Sequence, residues 1–319
     1  MKEIGSEFWT TESTKSQELF FVSGRTALDF IIRDILLTSS VGKVFLPSYC
    51  CHSMIEPFLS NGLSVSFYEI RCDKNGLSAD IPPLKPEDIF FYMDFFGFES
   101  PDFIDISQIR NSGCTIIKDA THSWLTDINK KKDDFADYTF ISYRKWTGLT
   151  GIATAKKNNK NFIIPQENLF HHKYEQLRLL AQNKKKQYMD ENQDTKQAFL
   201  SAFSEAEELL DEDYANYLPT TESISALLNL NKSQIATARP QNADFLLCGL
   251  QNIPKVTPLF PKLDKNLVPL CVPIMVDPSL RDQLRKHLID QKIYCPVHWP
   301  LSDLHKGISQ NTINIYNSE

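Results

Sequence analysis

Several patterns that would assign a function at once are missing from this 319-residue sequence. Its seven cysteines are scattered and odd in number, and no Cys-x-x-Cys pair occurs, which argues against a disulfide framework or a metal site. No apolar run is long enough to span a bilayer, and residues 1–16 lack the basic and apolar regions of a signal peptide. A reducing cytoplasm is therefore the expected location, without membrane insertion or export.

A basic surface is missing as well. Lysine and arginine number 34 against 40 aspartate and glutamate residues, which gives a formal net charge of -6. Nucleic-acid binding needs a clustered basic face that neutralises phosphates, so no nucleic-acid partner is expected. The Gly-x-Gly-x-x-Gly turn of a dinucleotide-binding fold does not follow the first predicted strand, which disfavours that fold.

The first half of the chain alternates short apolar runs with helical or turn segments. The apolar spacing of residues 27–37 predicts a helix. The predicted strands cover residues 18–22, 44–46, 63–70, 89–93, 115–117, 138–141 and 152–155, the last running antiparallel to the others. This rhythm predicts an α/β fold with a mostly parallel sheet and helices on both faces.

The second half is more polar, and the length of the chain predicts two lobes. The sequence predicts helices within 199–210, 223–250 and 278–291, a strand at 268–275 and a strand-like segment at 293–300. We therefore expect a large α/β domain over residues 1–215 and a smaller α+β domain over residues 216–319.

Two of the predicted strands end in ionisable side chains. Asp119 and His122 follow one strand, and Ser142, Arg144 and Lys145 follow the next. The carboxyl ends of the strands are where open α/β sheets bind ligands. A lysine for a Schiff base, an aspartate for a pyridinium nitrogen and a hydroxyl for a phosphate are the partners that pyridoxal phosphate needs.

Each of these residues has a simpler explanation when it is taken alone. Asp119 would cap a turn or helix, and Lys145 would be a surface lysine. Their combination at neighbouring strand ends favours a shared cofactor site, in which Arg144 would lower the pKa of the adjacent lysine. The turn before the helix at 27–37 could form an anion site, but for this motif taken alone a simple Ser23 N-cap with a turn glycine is the preferred explanation.

In their order along the chain, these motifs resemble those of fold-type I pyridoxal-phosphate enzymes, and more closely the DegT/DnrJ/EryC1/StrS aminotransferases. Residues 23–28 (Ser-Gly-Arg-Thr-Ala-Leu) stand at that family's phosphate-binding turn, and residues 46–49 (Leu-Pro-Ser-Tyr) at its proline-containing strand end. Residues 119–122 (Asp-Ala-Thr-His) resemble its aspartate element, and residues 142–145 (Ser-Tyr-Arg-Lys) its phosphate-binding serine and Schiff-base lysine. The resemblance covers nearly the whole chain.

The resemblance implies a homodimeric, pyridoxal-phosphate-dependent aminotransferase that moves an amino group from glutamate to a nucleotide-linked keto-sugar. Lys145 would carry the proton, Asp119 would keep the ring nitrogen protonated, and His122 would orient Asp119 or the ring oxygen. The cofactor contacts that it implies are Gly24, Arg25, Thr26, Cys51, His52, Asp119, His122, Ser142, Arg144 and Lys145.

The sequence departs from the family pattern at several points, among them a tighter spacing from Ser142 to Lys145 and a Gly-rich turn reduced to Gly148 and Gly151. Cys51 falls at the ring-stacking position, where an aromatic residue is usual, and His52 is the neighbouring alternative. The family's Asn-x-Arg element, which would fall near residues 217–220, is absent. The chain also stops at Glu319, before the family's last strand and helix, so a truncated form or a short variant is expected. Two alternatives stay open: a pyridoxal-phosphate enzyme with a non-sugar substrate, and a degenerate, non-catalytic binding subunit.

Overall fold

A computed structural model of the chain describes residues 18–73, 76–98, 106–130, 135–158, 160–191 and 193–319. The segment 1–16 lies outside these ranges. The strands are β1 (Glu18–Phe21), β2 (Val44–Pro47), β3 (Val65–Asp73), β4 (Gly76–Asp80), β5 (Ile89–Met93), β6 (Thr115–Asp119), β7 (Tyr138–Ser142), β8 (Ala153–Lys157), β9 (Leu169–Phe170), β10 (Tyr217–Leu218), β11 (Val256–Pro258) and β12 (Ile274–Val276). The helices are α1 (Gly24–Thr38), α2 (His52–Ser60), α3 (Ile106–Asn111), α4 (Trp124–Lys130), α5 (His172–Asp190), α6 (Lys196–Glu212), α7 (Thr221–Leu228), α8 (Lys232–Leu250), α9 (Pro278–Asp290) and α10 (Gln310–Ser318).

Eight strands form one sheet in the order β1-β8-β7-β6-β5-β2-β3-β4. The five strands from β7 to β3 in this order run parallel, whereas β8 pairs antiparallel with β1 and β7, and β4 pairs antiparallel with β3. Every residue of β2 and β5 is buried, as expected of parallel strands that are covered on both faces. The predicted mostly parallel sheet and its antiparallel strand near residues 152–155 are thus confirmed.

The register of the central strands brings the two polar strand ends together. Asp119, the last residue of β6, lies opposite Phe140 of β7. Parallel neighbours end at the same edge of a sheet, so the segments that follow β6 and β7 leave the sheet side by side. This arrangement places residues 119–122 next to residues 142–145.

Helix α1 starts at the turn after β1 and packs on the sheet. The Ser23 hydroxyl caps it by accepting a hydrogen bond from the N–H of Thr26 (3.1 Å). Phe30, Ile31 and Ile35 are buried in the core that α1 shares with the sheet. Since the sheet holds the body of this helix, its first turn is fixed near the end of β7.

Residues 223–250 are helical, as predicted, but they form two helices and not one. Helix α7 ends at Leu228, and α8 begins at Lys232. The side chain of Asn231 accepts a hydrogen bond from the N–H of Gln234 (3.1 Å), which starts the second helix.

Two strand predictions in the second half are wrong. Only residues 274 and 275 of the segment 268–275 lie in a strand, because the N–H of Val268 donates to Thr126 Oγ1 (2.8 Å) and that of Leu270 to the Phe96 carbonyl (2.7 Å). These bonds hold the segment against the loops around the sheet instead of in a ladder. Residues 293–300 form no strand, since Pro296 and Pro300 have no N–H to donate.

The last helix, α10, was not expected from the sequence and packs against β3. The Tyr316 hydroxyl contacts the Ser48 carbonyl (3.0 Å) and the N–H of Cys50 (2.8 Å), while Thr312 Oγ1 donates to the Ile70 carbonyl (2.9 Å). The loop after β2 is therefore fixed by a helix from the far end of the sequence.

In the part of the chain that the structure describes, no helix is both long and apolar enough to cross a membrane. The division into residues 1–215 and 216–319 stays a prediction. One short strand pair, β9 with β10, lies across that boundary.

Candidate active site

A cavity of about 630 Å³, including its open mouth, lies at the carboxyl ends of β6 and β7. Its wall is built from the start of α1, the start of α2, the two strand ends, Leu210 of α6 and Trp299. Eight of the residues predicted from the sequence line it: Gly24, Arg25, Cys51, Asp119, His122, Ser142, Arg144 and Lys145. The other two, Thr26 and His52, are not among its lining residues.

Asp119 is 2% exposed and is held by the backbone that follows it. Its Oδ1 accepts a hydrogen bond from the N–H of Thr121 (2.8 Å). Burial raises the pKa of Asp119 to about 6, against the opposing effect of this hydrogen bond and of the cationic Lys145. Because burial disfavours the charged form of Asp119, a cationic ligand in the cavity would stabilise the ionised carboxylate.

Thr121 ties the two strand ends to each other. Its Oγ1 accepts from the N–H of Ser142 (3.0 Å), and its carbonyl accepts from the Trp146 indole N–H (2.5 Å). Because Thr121 also binds Asp119, one residue fixes the geometry between the carboxylate and the segment that carries Lys145.

His122 is a buried, neutral imidazole. Its Nδ1 accepts a hydrogen bond from the N–H of Phe96 (3.1 Å), so the ring proton is assigned to Nε2. Burial holds the pKa of His122 well below its usual range. The ring packs nearly parallel to Phe96 and Trp299, at centroid distances of 5.3 and 5.9 Å. His122 can therefore offer an N–H donor to a ligand, and the aromatic packing fixes its direction.

Lys145 is open to solvent through the cavity, and no described residue forms a hydrogen bond or ion pair with its amine. Desolvation at the wall and the neighbouring Arg144 guanidinium both lower the pKa of Lys145. A lysine with these surroundings is more readily deprotonated, and hence more nucleophilic, than an ordinary surface lysine.

Arg144 is held by carboxylate oxygens of α6. Its guanidinium contacts both oxygens of Glu207, at 3.0 Å for the Nη2–Oε2 pair, and Arg178 lies 3.5 Å from Oε1. Burial alone would raise the pKa of Glu207, but the neighbouring cations, Arg144 above all, outweigh this effect and lower the pKa to about 2. Glu207 therefore stays charged and keeps Arg144 beside Lys145.

The turn before α1 approaches the end of β7 closely. A Cβ atom at Gly24 would lie 3.1 Å from Ser142 Cβ and 3.6 Å from Ser142 Oγ. Ser142 is 6% exposed, and its hydroxyl has no partner among the described residues. Glycine thus lets the first amides of α1 and a free hydroxyl meet at one corner of the cavity, an arrangement that suits an anion.

Arg25 and Thr26 are less available for a ligand than the sequence suggested. Arg25 pairs with Asp211 (2.6 Å) and Glu56 (3.4 Å) and donates to the Leu210 carbonyl (2.6 Å). The Thr26 hydroxyl is fully buried and shares a hydrogen bond with Ser23 (2.9 Å). In this structure Arg25 fastens α6 to α1, and Thr26 belongs to the N-cap.

Trp299 and Glu207 are site residues that the sequence motifs did not reveal. The ring of the neighbouring His298 binds Glu319 (3.1 Å), and His298 is not among the residues that line the cavity. Trp299 lines the cavity instead. The paired prolines that flank this segment were a usable signal for a fixed loop rather than a strand.

The fold places this chain among proteins of known architecture. No protein-family model and no curated protein matches the sequence. Among solved structures, NtdA from Bacillus subtilis with bound PMP is 18% identical, with a TM-score of 0.58 over 95% of this chain and 68% of that one. The sugar aminotransferase CalS13 from Micromonospora echinospora is 13% identical (TM-score 0.55; 93% and 77%), and a DegT DnrJ EryC1 StrS aminotransferase from Brucella abortus is 14% identical (TM-score 0.57; 95% and 79%). The chain therefore has the fold of these aminotransferases, and the predicted fold-type I architecture is confirmed.

Proposed function

We propose that this chain is an aminotransferase that binds pyridoxal phosphate in the cavity. One observation carries the proposal: a lysine amine that no described residue pairs with, a buried carboxylate and an anion corner meet in a single cavity. When bound, pyridoxal phosphate supplies an aldehyde that takes up amino groups and a ring that accepts the electron pair of a breaking C–H bond. The residues present fit this group, because each of its polar parts has a matching partner.

The phosphate fits the corner between α1 and β7. The Ser142 hydroxyl and the first amides of α1 are donors there, and the missing Cβ at Gly24 leaves the room. Arg25 and Arg144 add positive potential, although each already pairs with a carboxylate. The hydroxyl and the backbone therefore make the direct contacts in this assignment.

The ring fits against Asp119 and His122. The Asp119 carboxylate would hold a protonated ring nitrogen, which favours the charged form of this buried acid. The His122 Nε2–H would donate to an oxygen on the ring. Lys145 would bind the aldehyde carbon at rest and, when released, would carry a proton to and from the reacting carbon. Its lowered pKa suits both tasks.

The substrates are a finer part of the proposal. CalS13, which shares the fold, is described as a sugar aminotransferase, and this supports a keto-sugar acceptor. A nucleotide-linked sugar and glutamate as the amino donor follow only from the motif resemblance. Exposure of the loaded protein to glutamate, with glutamine and alanine as comparisons, tests the donor through the change in cofactor absorbance.

The cofactor assignment is tested by a labelling experiment. Purified protein is mixed with pyridoxal phosphate, its visible spectrum is recorded, and borohydride is added before peptide mass mapping. We expect a visible band and a reduced cofactor on the Lys145 peptide. Lys145→Arg keeps the charge of the site and is the matched control, in which both signals should be lost. A label on another lysine, or no band, would reject the assignment.

Two further expectations stay predictions: the homodimer that the resemblance implies and the cytoplasmic location expected from the cysteines and the lack of a signal-peptide pattern in residues 1–16. A homodimer is tested by light scattering coupled to gel filtration, and a cytoplasmic location by fractionation of the source cells. Lys145→Ala separates the proposed enzyme from a non-catalytic binding subunit. Cellular function should be lost in this variant if the chain is an enzyme and should survive if it is a binding subunit.

A further inference from the structure

Cys51 differs in its surroundings from the other cysteines. It is the one thiol among the residues that line the cavity. Cys50 and Cys114 are buried, while Cys248 and Cys295 are exposed at other places on the surface. Reagents that enter the cavity therefore meet Cys51 and no other thiol on its wall.

Polar groups surround the Cys51 sulfur. The Ser53 hydroxyl donates a hydrogen bond to Sγ (3.2 Å), and Nδ1 of His52 lies 3.8 Å from Sγ. Cys51 is also the N-cap residue of α2, and the backbone N–H of Ser53 is a further donor to its sulfur. Hydroxyl and imidazole partners at these positions favour the thiolate, which is the nucleophilic form of cysteine.

The electrostatics agree with this geometry. Burial at the wall raises the pKa of Cys51, but the contacts with His52 and Ser53 together outweigh this effect and bring the pKa down to about 7. The contact between His52 and the Cys51 sulfur in turn raises the pKa of His52. By contrast, burial raises the pKa of Cys50 well above its usual range. Two adjacent cysteines thus have opposite reactivities.

We propose that Cys51 is a covalent-modification site for small soft electrophiles that enter the cavity. The Sγ thiolate attacks the carbon that bears a leaving group. The S–C bond forms as the bond to the leaving group breaks, and that group departs as an anion with the bonding electron pair. The thiol proton passes to His52 and then to solvent, so charge and atoms balance.

The test uses purified, cofactor-free protein and iodoacetamide, from which iodide leaves. Alkylation of Cys51 and of the exposed Cys295 is followed by peptide mass mapping between pH 6 and 9.5. We expect the rate at Cys51 to rise with a midpoint near pH 7, about 1.5 units below an ordinary thiol. The larger thiolate fraction is partly offset by lower intrinsic nucleophilicity, so the advantage at pH 7 is about threefold.

Ser53→Ala is the diagnostic variant, because it removes a donor to Sγ. It should move the Cys51 midpoint to higher pH and leave that of Cys295 unchanged. A Cys51 midpoint at or above that of Cys295 in the unmodified protein would overturn the proposal, as would an unshifted midpoint in the variant.

Repeating the reaction with pyridoxal phosphate separates this inference from the proposed function. If the cofactor fills the cavity, it should slow alkylation of Cys51 but not of Cys295. A midpoint near pH 7 without such protection would support the reactive thiol and count against the proposed cofactor site.

Discussion

Asp119 shows at the scale of one residue how a binding site conflicts with stability. Its carboxylate is buried beside the backbone of Thr121, and its pKa is raised to about 6. A raised pKa means that the folded protein binds the proton more tightly than the unfolded chain does. The charged form therefore destabilises the cofactor-free protein above pH 6, and this cost disappears as the pH falls toward 4.

We predict that Asp119→Asn stabilises the cofactor-free protein at pH 7.5 by up to about 3 kcal/mol, since one pKa unit corresponds to about 1.4 kcal/mol. The gain should shrink steadily between pH 6 and pH 4. Urea unfolding of both proteins at several pH values measures it. A variant that is less stable than the parent at pH 7.5 would show that the charge is compensated in the cavity.

The structure places Asp119 and Lys145 in one cavity at the strand ends, as the sequence predicted, while their roles stay a proposal. Asp119 and Lys145 could be predicted because polar residues directly after apolar runs mark strand ends. Trp299, which lines the cavity, and Glu207, which pairs with Arg144, could not be predicted, because tertiary structure brings them there from positions remote in sequence. The pairing of Arg25 with Asp211 was missed for the same reason.

At the scale of elements, the contact between α1 and β7 depends on a single missing side chain. We predict that Gly24→Ala weakens pyridoxal phosphate binding about tenfold or more, because the methyl group pushes the first turn of α1 away from Ser142 and lengthens charged hydrogen bonds. Titration of cofactor absorbance measures the affinity.

Gly249→Ala in α8 is the matched control, since a Cβ there meets nothing within 4 Å. It should leave the affinity unchanged and stabilise the helix by about 1 kcal/mol. Equal losses of affinity in both variants would show that the effect of Gly24 is not local.

The opposite end of α1 is held by a buried ion pair. Asp34 is fully buried and accepts from Lys157 (2.6 Å), from Tyr138 (2.8 Å) and from the N–H of Ile163 (2.6 Å). Burial raises the pKa of Asp34, but these bonds lower it below its usual value. The carboxylate thus joins α1, β7, β8 and the loop beyond β8.

We predict that Asp34→Asn destabilises the protein by about 3–5 kcal/mol, because Lys157 is left as an unpaired buried charge. Chemical denaturation measures the loss, and the exposed Asp282→Asn should change stability by less than about 0.5 kcal/mol. A small effect of Asp34→Asn would mean that Lys157 finds another acceptor.

The strands of the first half were predictable because their apolar runs are short and bounded by turn residues. The segments 268–275 and 293–300 were not, because their backbone groups bond to loops and helices that are remote in sequence. Helix α10 has few apolar residues, and it is its hydroxyl contacts with the loop after β2 that fix it in place.

At the scale of the whole molecule, α10 and the loop after β2 form one unit. We predict that Tyr316→Phe lowers stability by about 1–3 kcal/mol, because it leaves the buried N–H of Cys50 without its acceptor. Calorimetry measures the shift in Tm. Tyr294→Phe removes an exposed hydroxyl from a contact with Lys196 and should have little effect. An unchanged Tm for Tyr316→Phe would show that water replaces the hydroxyl.

The closure of this loop by α10 also sets an order of assembly during protein synthesis. The strand β2 leaves the ribosome early, but Tyr316, whose hydroxyl binds the N–H of Cys50 next to Cys51, is 266 residues further along the chain. Until α10 has been made, the backbone next to Cys51, which lines the cavity together with Lys145 and Asp119, lacks this hydrogen bond. The proposed pyridoxal phosphate site should therefore be complete only once α10 has been made, and ribosome-stalled chains that end before residue 310 should bind the cofactor more weakly than the full chain.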